Sequence, residues 1–401
     1  MILNLLVTSL LSTCSVSLHQ PGADAFNDCR HQSTSAEALN KVFAGGIGNV
    51  LGADYQRAFS LNDGRTLWVF QDAFIDDGDA HPTLVHNVGA LQEGMCFVSL
   101  TTGDRTRPTS WVADKQTHRF HKWYWPLSGY QKNDQIFVLY MAEMIEAGSS
   151  YLDKPTPTSA VSVEIDLNTM TAGHLSRAPN QSTNLYGFAT TDDDEYRYLY
   201  GQCHRQFGFS DFGHDQCTRF IYVARQPLNN PKMPLEYWDG NRWTRNSRKA
   251  VNIAPLHAPN GDLRGANPMQ IARDGERWIA VTKADDWWGD LVYFDIAPRP
   301  EGPWTTTAVL PVATRGDPAE VTSYFVNFIP TDRATRTIAI SNNRWDGQMS
   351  EDYRPTFTSI GPYVWGHRQA QMVTQNLWLP FGRKINLVTK SQHEPAPARR
   401  H

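Results

Sequence analysis

The sequence predicts an all-β fold, a five-bladed β-propeller, on the basis of repeats and turn chemistry. An apolar strand that ends in polar residues recurs five times at an average step of about 68 residues, which suits a propeller blade with one insertion loop better than a helical repeat. Gly and Pro turns separate short strands, and capped amphipathic helical patterns are nearly absent after residue 45. The repeat strands are Gly64–Phe74, Asp134–Met144, Glu195–Arg205, Gly275–Asp285 and Thr335–Trp345.

Each predicted blade opens with a hairpin and closes on a third strand before a Pro or Gly turn. Blade one runs from GADYQRAFSL through its repeat strand to HNVGALQ and MCFVSLTTG, and blade two from KWYWPLSGY to SAVSVEIDLNTM. Blade three runs from NLYGFATT to TRFIYVARQPL and EYWDGNRWT. Blade four runs from ANPMQIARDG to LVYFDIAPRPEGPWTTT, and blade five from SYFVNFIPTD to RPTFTSI.

The two ends of the chain differ from the repeats. Residues 1–25 hold an apolar run followed by Ala23-Asp24-Ala25, small residues at the spacing that a signal peptidase prefers, and predict export to the medium or cell envelope. A mis-assigned start codon, a buried N-terminal segment or a lipid anchor on Cys14 are alternatives. Residues 26–45 are an N-terminal segment, 46–365 the propeller and 366–401 a C-terminal extension. No later segment is apolar for long enough to span a bilayer.

Composition and charge limit the partners. The 401 residues include 13 Trp, 15 Tyr and 18 Phe and carry a formal net charge of −4. No cluster of Lys and Arg resembles a phosphate-binding stripe, so we expect no nucleic-acid partner. We also expect a monomer that uses no cofactor.

Four cysteines remain if the signal peptide is removed: Cys29, Cys96, Cys203 and Cys217. An even number suits an oxidising compartment. Cys203 and Cys217 flank a Gly-containing excursion and are in a position to close it as a disulfide. Four buried thiols are the alternative.

One face of the predicted disc collects polar and aromatic side chains. Neighbouring strands of a blade are antiparallel, so the start of the first strand and the end of the second lie on the same face. This mixture suits a sugar, because aromatic rings cover its apolar faces while amides and carboxylates bind its hydroxyls. The candidate substrate-binding residues are Gln56, Trp123, Tyr124, Trp125, His204, Asn267, Lys283, Tyr324, Asn343 and Arg344.

Several of these features have a structural alternative. The aromatic run Trp123–Trp125 forms a sugar platform or packs between blades. His204 and Lys283 recognise an anionic or hydroxyl group or bond a neighbouring blade. The acidic segment Ile75–His81 resembles part of a calcium loop, but the full spacing is absent, so we predict a solvated turn and no metal site.

Four segments carry a family resemblance. YFDIAPRPEGPWT (Tyr293–Thr305) and IYVARQPLNNP (Ile221–Pro231) resemble the third-strand and turn signatures of the five-bladed propeller glycoside hydrolases of the arabinanase, xylosidase and fructosidase type. GADYQ together with DGRTLWVFQDAF resembles a bacterial branch long known as a domain of unknown function, some members of which are assigned as endo-acting D-arabinan hydrolases. The resemblance spans roughly residues 45–365 and implies architecture more than activity.

The resemblance implies a general base, a pKa-tuning Asp and a general acid on the innermost strands of blades one, two and three. Asp54 matches the first position. The second and third positions do not match, because the corresponding strands read KWYWP and NLYGF and contain no acid.

Glycoside hydrolysis requires a protonated acid and an ionised partner. The best-placed carboxylates are Asp54, Asp72 and Glu143, and we predict Asp54 as the base or nucleophile. Glu143 ends an apolar strand beside an aromatic cluster and is predicted to donate the proton, because desolvation raises a carboxyl pKa. Asp72 is predicted to orient Asp54 or tune its pKa. For each residue, the alternative is a carboxylate that accepts backbone N–H bonds at a turn.

The predicted function is a secreted glycoside hydrolase that acts on a furanose-rich, arabinan-like polysaccharide or oligosaccharide. A non-catalytic glycan-binding propeller is the alternative, because the third-blade carboxylate is not matched. The sequence contains no Gly-rich phosphate loop, paired CxxC, HExxH or GxSxG motif, and the absence of the last argues against lipase or esterase chemistry.

Overall fold

Strands account for nearly all of the regular structure. The computed structural model describes residues 34–78, 81–104, 106–116, 120–146, 156–178, 184–203, 220–255, 257, 269–283, 291–312, 322–330, 336–343 and 353–360, and the strand residues 371–372, 377–378 and 384–385. The helical elements in these ranges are an α-helix, α1 (Ala36–Gly45), and a 3₁₀ helix (Ser247–Lys249).

The first repeat folds into a four-stranded sheet with a small companion sheet. Its strands are β1 (Val50–Ala53), β2 (Arg57–Ser60), β3 (Thr66–Phe70), β4 (Ala73–Ile75), β5 (Thr83–Val85), β6 (Val88–Glu93) and β7 (Cys96–Leu100). Sheet 1 has the order β2-β3-β6-β7, and β1-β4-β5 form the companion. A separate hairpin, β8 (Thr102–Asp104) and β9 (Arg107–Thr109), follows.

The second and third repeats each form a five-stranded sheet in simple sequential order. Sheet 2 contains β10 (Lys115–Gln116), β11 (His121–Gln131), β12 (Ile136–Glu146), β13 (Thr156–Asp166) and β14 (Thr171–Arg177). Sheet 3 contains β15 (Asn184–Asp192), β16 (Tyr196–Cys203), β17 (Ile221–Pro227), β18 (Glu236–Trp238) and β19 (Trp243–Thr244).

The fourth and fifth repeats complete the series. Sheet 4 contains β20 (Gln270–Asp274), β21 (Arg277–Lys283), β22 (Leu291–Ala297) and β23 (Thr305–Pro311), and sheet 5 contains β24 (Thr322–Ile329), β25 (Arg336–Asn343) and β26 (Thr356–Ile360). The two-residue strand β27 (Gln371–Met372) pairs in parallel with β23. A last short pair is β28 (Leu377–Trp378) with β29 (Lys384–Ile385).

Each of the five predicted repeat strands lies in a sheet of its own, next to the first long strand of that sheet, as β3, β12, β16, β21 or β25. These strands are apolar along their length because sheets pack against both of their faces. In β3, for example, Leu67, Trp68, Val69 and Phe70 are all fully buried. The repeat prediction is therefore confirmed at the level of strand order.

The five sheets form a closed ring. The strands β2, β11, β15, β20 and β24 contact one another in this cyclic order, and β24 contacts β2 again. A separate apolar cluster fills each of the five spaces between neighbouring sheets. The predicted all-β propeller fold is confirmed by this arrangement.

Helix α1 covers the outer edge of sheet 5. Its N-cap is Ser35, whose hydroxyl accepts the N–H of Ala38 at 3.1 Å. The side-chain amide of Asn40 hydrogen-bonds the backbone of β26 as a neighbouring strand would. Its nitrogen donates to the C=O of Phe357 at 2.8 Å, and its oxygen accepts the N–H of the same residue at 2.9 Å. Phe43 packs in the cluster between sheets 5 and 1. The exposed sheet edge is thereby protected.

No helix among the described residues is long and apolar enough to cross a membrane. The predicted signal peptide lies outside the described residues, as do Cys29, Cys217 and most of the C-terminal extension. Export and disulfide pairing therefore stay predictions.

Candidate active site

Asp54 and Asp72 face each other across two neighbouring strands of the first repeat. Ala53 pairs with Ala73 in β1–β4, and Arg57 pairs with Val69 in β2–β3. The same register, continued between these two strand pairs, places Asp54 opposite Asp72. There, the N–H of Asp54 donates to the C=O of Asp72 at 3.1 Å, and the N–H of Gln71 donates to the C=O of Asp54 at 3.2 Å. Two of the three predicted catalytic carboxylates are thus cross-strand neighbours.

The backbone beside Asp54 is strained. Tyr55 has a φ of +54°, a left-handed conformation that a bulky residue rarely adopts. Its N–H donates to the hydroxyl of Ser341 at 3.0 Å, and that hydroxyl in turn donates to the side-chain oxygen of Gln56 at 2.8 Å. The amide nitrogen of Gln56 donates to the C=O of Ala53. Gln56 is fully buried, so this predicted sugar contact instead holds the strained turn that carries Asp54.

Three hydrogen-bond donors surround the carboxyl group of Asp54, which is only 7% exposed. Oδ1 accepts the main-chain N–H of Asp72 at 3.0 Å. Oδ2 accepts the hydroxyl of Tyr324 at 2.9 Å and also that of Tyr353. The C=O of Tyr353 accepts the N–H of Ala53 at 2.7 Å, which fixes this tyrosine beside the site.

Burial raises the pKa of Asp54 from an ordinary value of 3.8 to about 8. The nearby charge of Asp72 acts in the same direction, whereas the hydroxyl donors Tyr353 and Tyr324 oppose it. Burial also raises the pKa of both tyrosines well above the usual value, so they remain protonated donors. Asp54 can therefore exchange a proton near neutral pH.

Asp72 connects Asp54 to an aromatic cluster. Its Oδ1 accepts the indole N–H of Trp125 at 2.8 Å and lies 3.0 Å from Nδ1 of His86. The carboxylate is buried. These contacts fix Asp72 in the orientation that places its charge against Asp54.

Glu143 lies on β12 of the neighbouring sheet, opposite Tyr124 of β11. Its side chain is 18% exposed, and Oε2 forms an ion pair with Nζ of Lys122 at 3.1 Å. Glu143 is thus less deeply buried than Asp54.

The three aromatic residues predicted as a sugar platform have different environments. Trp123 is completely buried in the cluster between sheets 2 and 3, and Tyr124 packs between sheets 1 and 2. Both match the alternative of packing between blades, because a buried ring presents no face to a sugar. Trp125 is half-buried and contacts Asp72, so it stays the platform candidate.

The other predicted sugar contacts are distributed around the ring. Tyr324 binds Asp54, and Lys283 is fully buried at the end of β21. Asn343 ends β25, and among the described residues none donates to its buried Oδ1. His204, Asn267 and Arg344 lie outside the described residues.

The segment Ile75–His81 forms a turn where it is described. Oδ1 of Asp76 accepts the N–H of Gly78 at 3.0 Å, and Oδ2 of Asp77 accepts the hydroxyl of Thr83. Asp79 lies outside the described residues.

Two residues of the site were not predicted from the sequence. Tyr353 precedes β26, beyond the repeat strands, and His86 precedes the third strand of sheet 1. The one signal in the sequence was that Tyr324 lies near the start of one strand of the fifth repeat and Tyr353 lies shortly before another.

Comparisons with known proteins agree with the fold. The provisionally assigned hydrolase from Bacteroides ovatus superposes with a TM-score of 0.63 at 16% identity, over 82% of this chain and 89% of that one. At this identity, the match shows the fold alone. No curated protein sequence matches the chain.

More distant structural matches include GH43 enzymes. The GH43_1 enzyme from Xanthomonas citri, complexed with xylose, gives a TM-score of 0.46 at 13% identity over 88% of this chain and 97% of that one. CoXyl43, a GH43 β-xylosidase/α-arabinofuranosidase from a compost microbial metagenome, gives 0.46 at 11% identity over 85% and 96%.

Residues 39–363 match the family DUF5005, which is described as a domain of unknown function. This range contains all five repeats and both Asp54 and Asp72. The chain belongs to the DUF5005 family.

Proposed function

We propose that this protein is a glycoside hydrolase that acts on a furanose-rich, arabinan-like polysaccharide by a two-carboxylate mechanism. The observation that carries the proposal is the buried Asp54, which faces Asp72 and has a pKa raised to about 8. A carboxyl group that is protonated near neutral pH is what protonation of a glycosidic oxygen requires.

The proposed roles differ from those predicted by the sequence. Asp54 is the proton donor, because its burial favours the neutral acid. Asp72 tunes Asp54 through its charge, as the sequence predicts. Glu143 is the ionised partner, because it is more exposed to water and already forms an ion pair with Lys122. It acts on a water molecule or on the anomeric carbon.

The side chain of Trp125 supports a sugar as the ligand. The half-buried ring of Trp125 is fixed by its N–H bond to Asp72, and an aromatic face beside the carboxylates covers the apolar face of a sugar ring. The preference for a furanose rests on the family resemblance of the sequence.

We further propose that the protein is exported after removal of residues 1–25 and acts as a monomer. Intact mass of the protein recovered from the medium or cell envelope of its host tests the first statement. Light scattering of the purified protein tests the second.

A glycan panel tests the activity. The purified full-length protein is incubated with arabinans, galactans, fructans and xylans, and reducing ends and product sizes are measured. Release from arabinan above the other glycans supports the proposal. Binding to a glycan without release of products supports the alternative, a glycan-binding propeller. Neither release nor binding across the panel contradicts both.

A further inference from the structure

A second cluster of chemically reactive side chains lies behind Asp72. His86 follows β5, Asp114 precedes β10, and His121 begins β11. One ligand atom from each lies within 4.8 Å of those of the other two, and Nε2 of His121 is 3.7 Å from Oδ2 of Asp114. Residues far apart in the chain thus place two imidazoles and one carboxylate around one point.

Packing fixes the rings of both histidines. The ring of His86 stacks on Trp123 with centroids 4.6 Å apart and planes 24° apart, and the ring of His121 lies 5.0 Å from the same Trp123. The two imidazoles are 5.3 Å apart. Ser110 hydrogen-bonds Asp114 and also accepts the N–H of His86. The cluster is therefore preorganised by a fully buried tryptophan and by hydrogen bonds.

The contact between His86 and Asp72 selects the ring nitrogen that faces the cluster. Because Nδ1 of His86 is 3.0 Å from Oδ1 of Asp72, the Nδ1–H tautomer donates to this carboxylate and leaves the lone pair on Nε2. A histidine that binds a metal usually donates its other N–H to a carboxylate in this way. Asp72 would then orient both Asp54 and a metal-binding imidazole.

We propose that His86, Asp114 and His121 bind one divalent transition-metal ion, with Zn²⁺ as the best match to the donor set. Two imidazole nitrogens and a carboxylate oxygen suit Zn²⁺ and its first-row neighbours, whereas Ca²⁺ and Mg²⁺ prefer oxygen ligands alone. Tetrahedral bonds of about 2.1 Å place ligand atoms about 3.4 Å apart, so the side chains draw together by about 1 Å on binding. Three protein ligands leave a fourth position for water or a substrate hydroxyl.

This inference does not rest on the hydrolase proposal, and its test uses binding alone. The full-length protein is dialysed against EDTA, freed of chelator and titrated with Zn²⁺ by calorimetry, and the Co²⁺ form is examined by visible absorption. We expect one Zn²⁺ per chain, an increase in Tm on binding, and a Co²⁺ spectrum typical of low coordination number.

Variants locate the site. His121→Gln and Asp114→Asn remove ligands from partly exposed positions and are expected to abolish stoichiometric binding. Asp72→Asn removes only the outer carboxylate and is expected to weaken Zn²⁺ binding about 10- to 100-fold. The matched control is His174→Gln, an exposed histidine on β14, which should bind Zn²⁺ as the parent does. Absence of binding to the parent, or equal binding by the His121→Gln and Asp114→Asn variants, would overturn the proposal.

Discussion

The main-chain N–H of Asp72 donates to the side-chain Oδ1 of Asp54 at 3.0 Å, in a place where a regular ladder would pair two backbone groups. The side chain of Asp54 thus substitutes for a backbone acceptor, and the two carboxyl groups are held on one hairpin. Burial and the charge of Asp72 raise the pKa of Asp54, and the bond from the N–H of Asp72 acts against them.

The stability of the protein should depend on the protonation of Asp54. Its folded pKa is raised from 3.8 to about 8, so between these values the folded state binds a proton that the unfolded state has lost. The contribution of this group is therefore present at low pH and is lost as the pH rises towards 8, with a slope of at most about 1.4 kcal/mol per pH unit. We expect Asp54→Asn to remove this slope in urea unfolding at pH 5, 7 and 9. An unchanged slope would contradict the assignment.

Removal of the Tyr353 hydroxyl should raise the pKa of Asp54 further. This hydroxyl stabilises the ionised carboxylate, so Tyr353→Phe favours the neutral acid. Because the protonated form is the proposed catalyst, the basic limb of the kcat/KM profile should move to higher pH. Tyr324→Phe should shift it in the same direction. A shift of the acidic limb to higher pH, with the basic limb unchanged, would show instead that Asp54 acts as a base.

Glu143→Gln should lower kcat strongly with little change in Tm. Loss of the ionised partner typically costs about 10²- to 10⁴-fold in rate. The control is Glu164→Gln in the same sheet, where an exposed Glu pairs with Lys132 at 2.7 Å. That variant should keep the parent's kcat, because an exposed ion pair contributes about 0–1 kcal/mol to stability and nothing to the site. Equal rates in the two variants would remove Glu143 from the mechanism.

The contact between helix α1 and sheet 5 should contribute measurably to stability. Asn40→Ala leaves the N–H and C=O of Phe357 without their side-chain partner, and it should lower the free energy of unfolding by about 1–3 kcal/mol. Lys41→Ala is the matched control, because Lys41 is exposed on the same helix. Chemical unfolding of both variants measures the difference. Because Ala has a higher helix propensity than Asn or Lys, a loss in Asn40→Ala no larger than that in Lys41→Ala would contradict a stabilising role for the Asn40 contact.

The sequence predicted the strand order but only part of the site. The recurring apolar segments identify the second strand of each sheet, because a strand that is buried on both faces must be apolar along its length. The Asp54–Asp72 pair was also accessible, since antiparallel pairing brings the ends of neighbouring strands to one face.

Other contacts depend on closure of the ring. Tyr353 lies 299 residues after Asp54 in the chain, and no pattern within one repeat brings the two together. The same holds for His86, Asp114 and His121, whose spacing resembles no metal-binding motif. Burial also depends on tertiary packing, so the raised pKa of Asp54 could not be predicted from the sequence.

Hydrolysis of arabinan by the parent protein and by Asp54→Asn tests the central claim most directly. Asp166→Asn, which changes an exposed turn carboxylate in sheet 2, is the control for the chemical substitution. We predict release of reducing ends by the parent and by Asp166→Asn, and loss of at least about 100-fold in rate for a folded Asp54→Asn protein. Equal rates for the parent and Asp54→Asn would contradict the assignment of Asp54 as the catalytic acid.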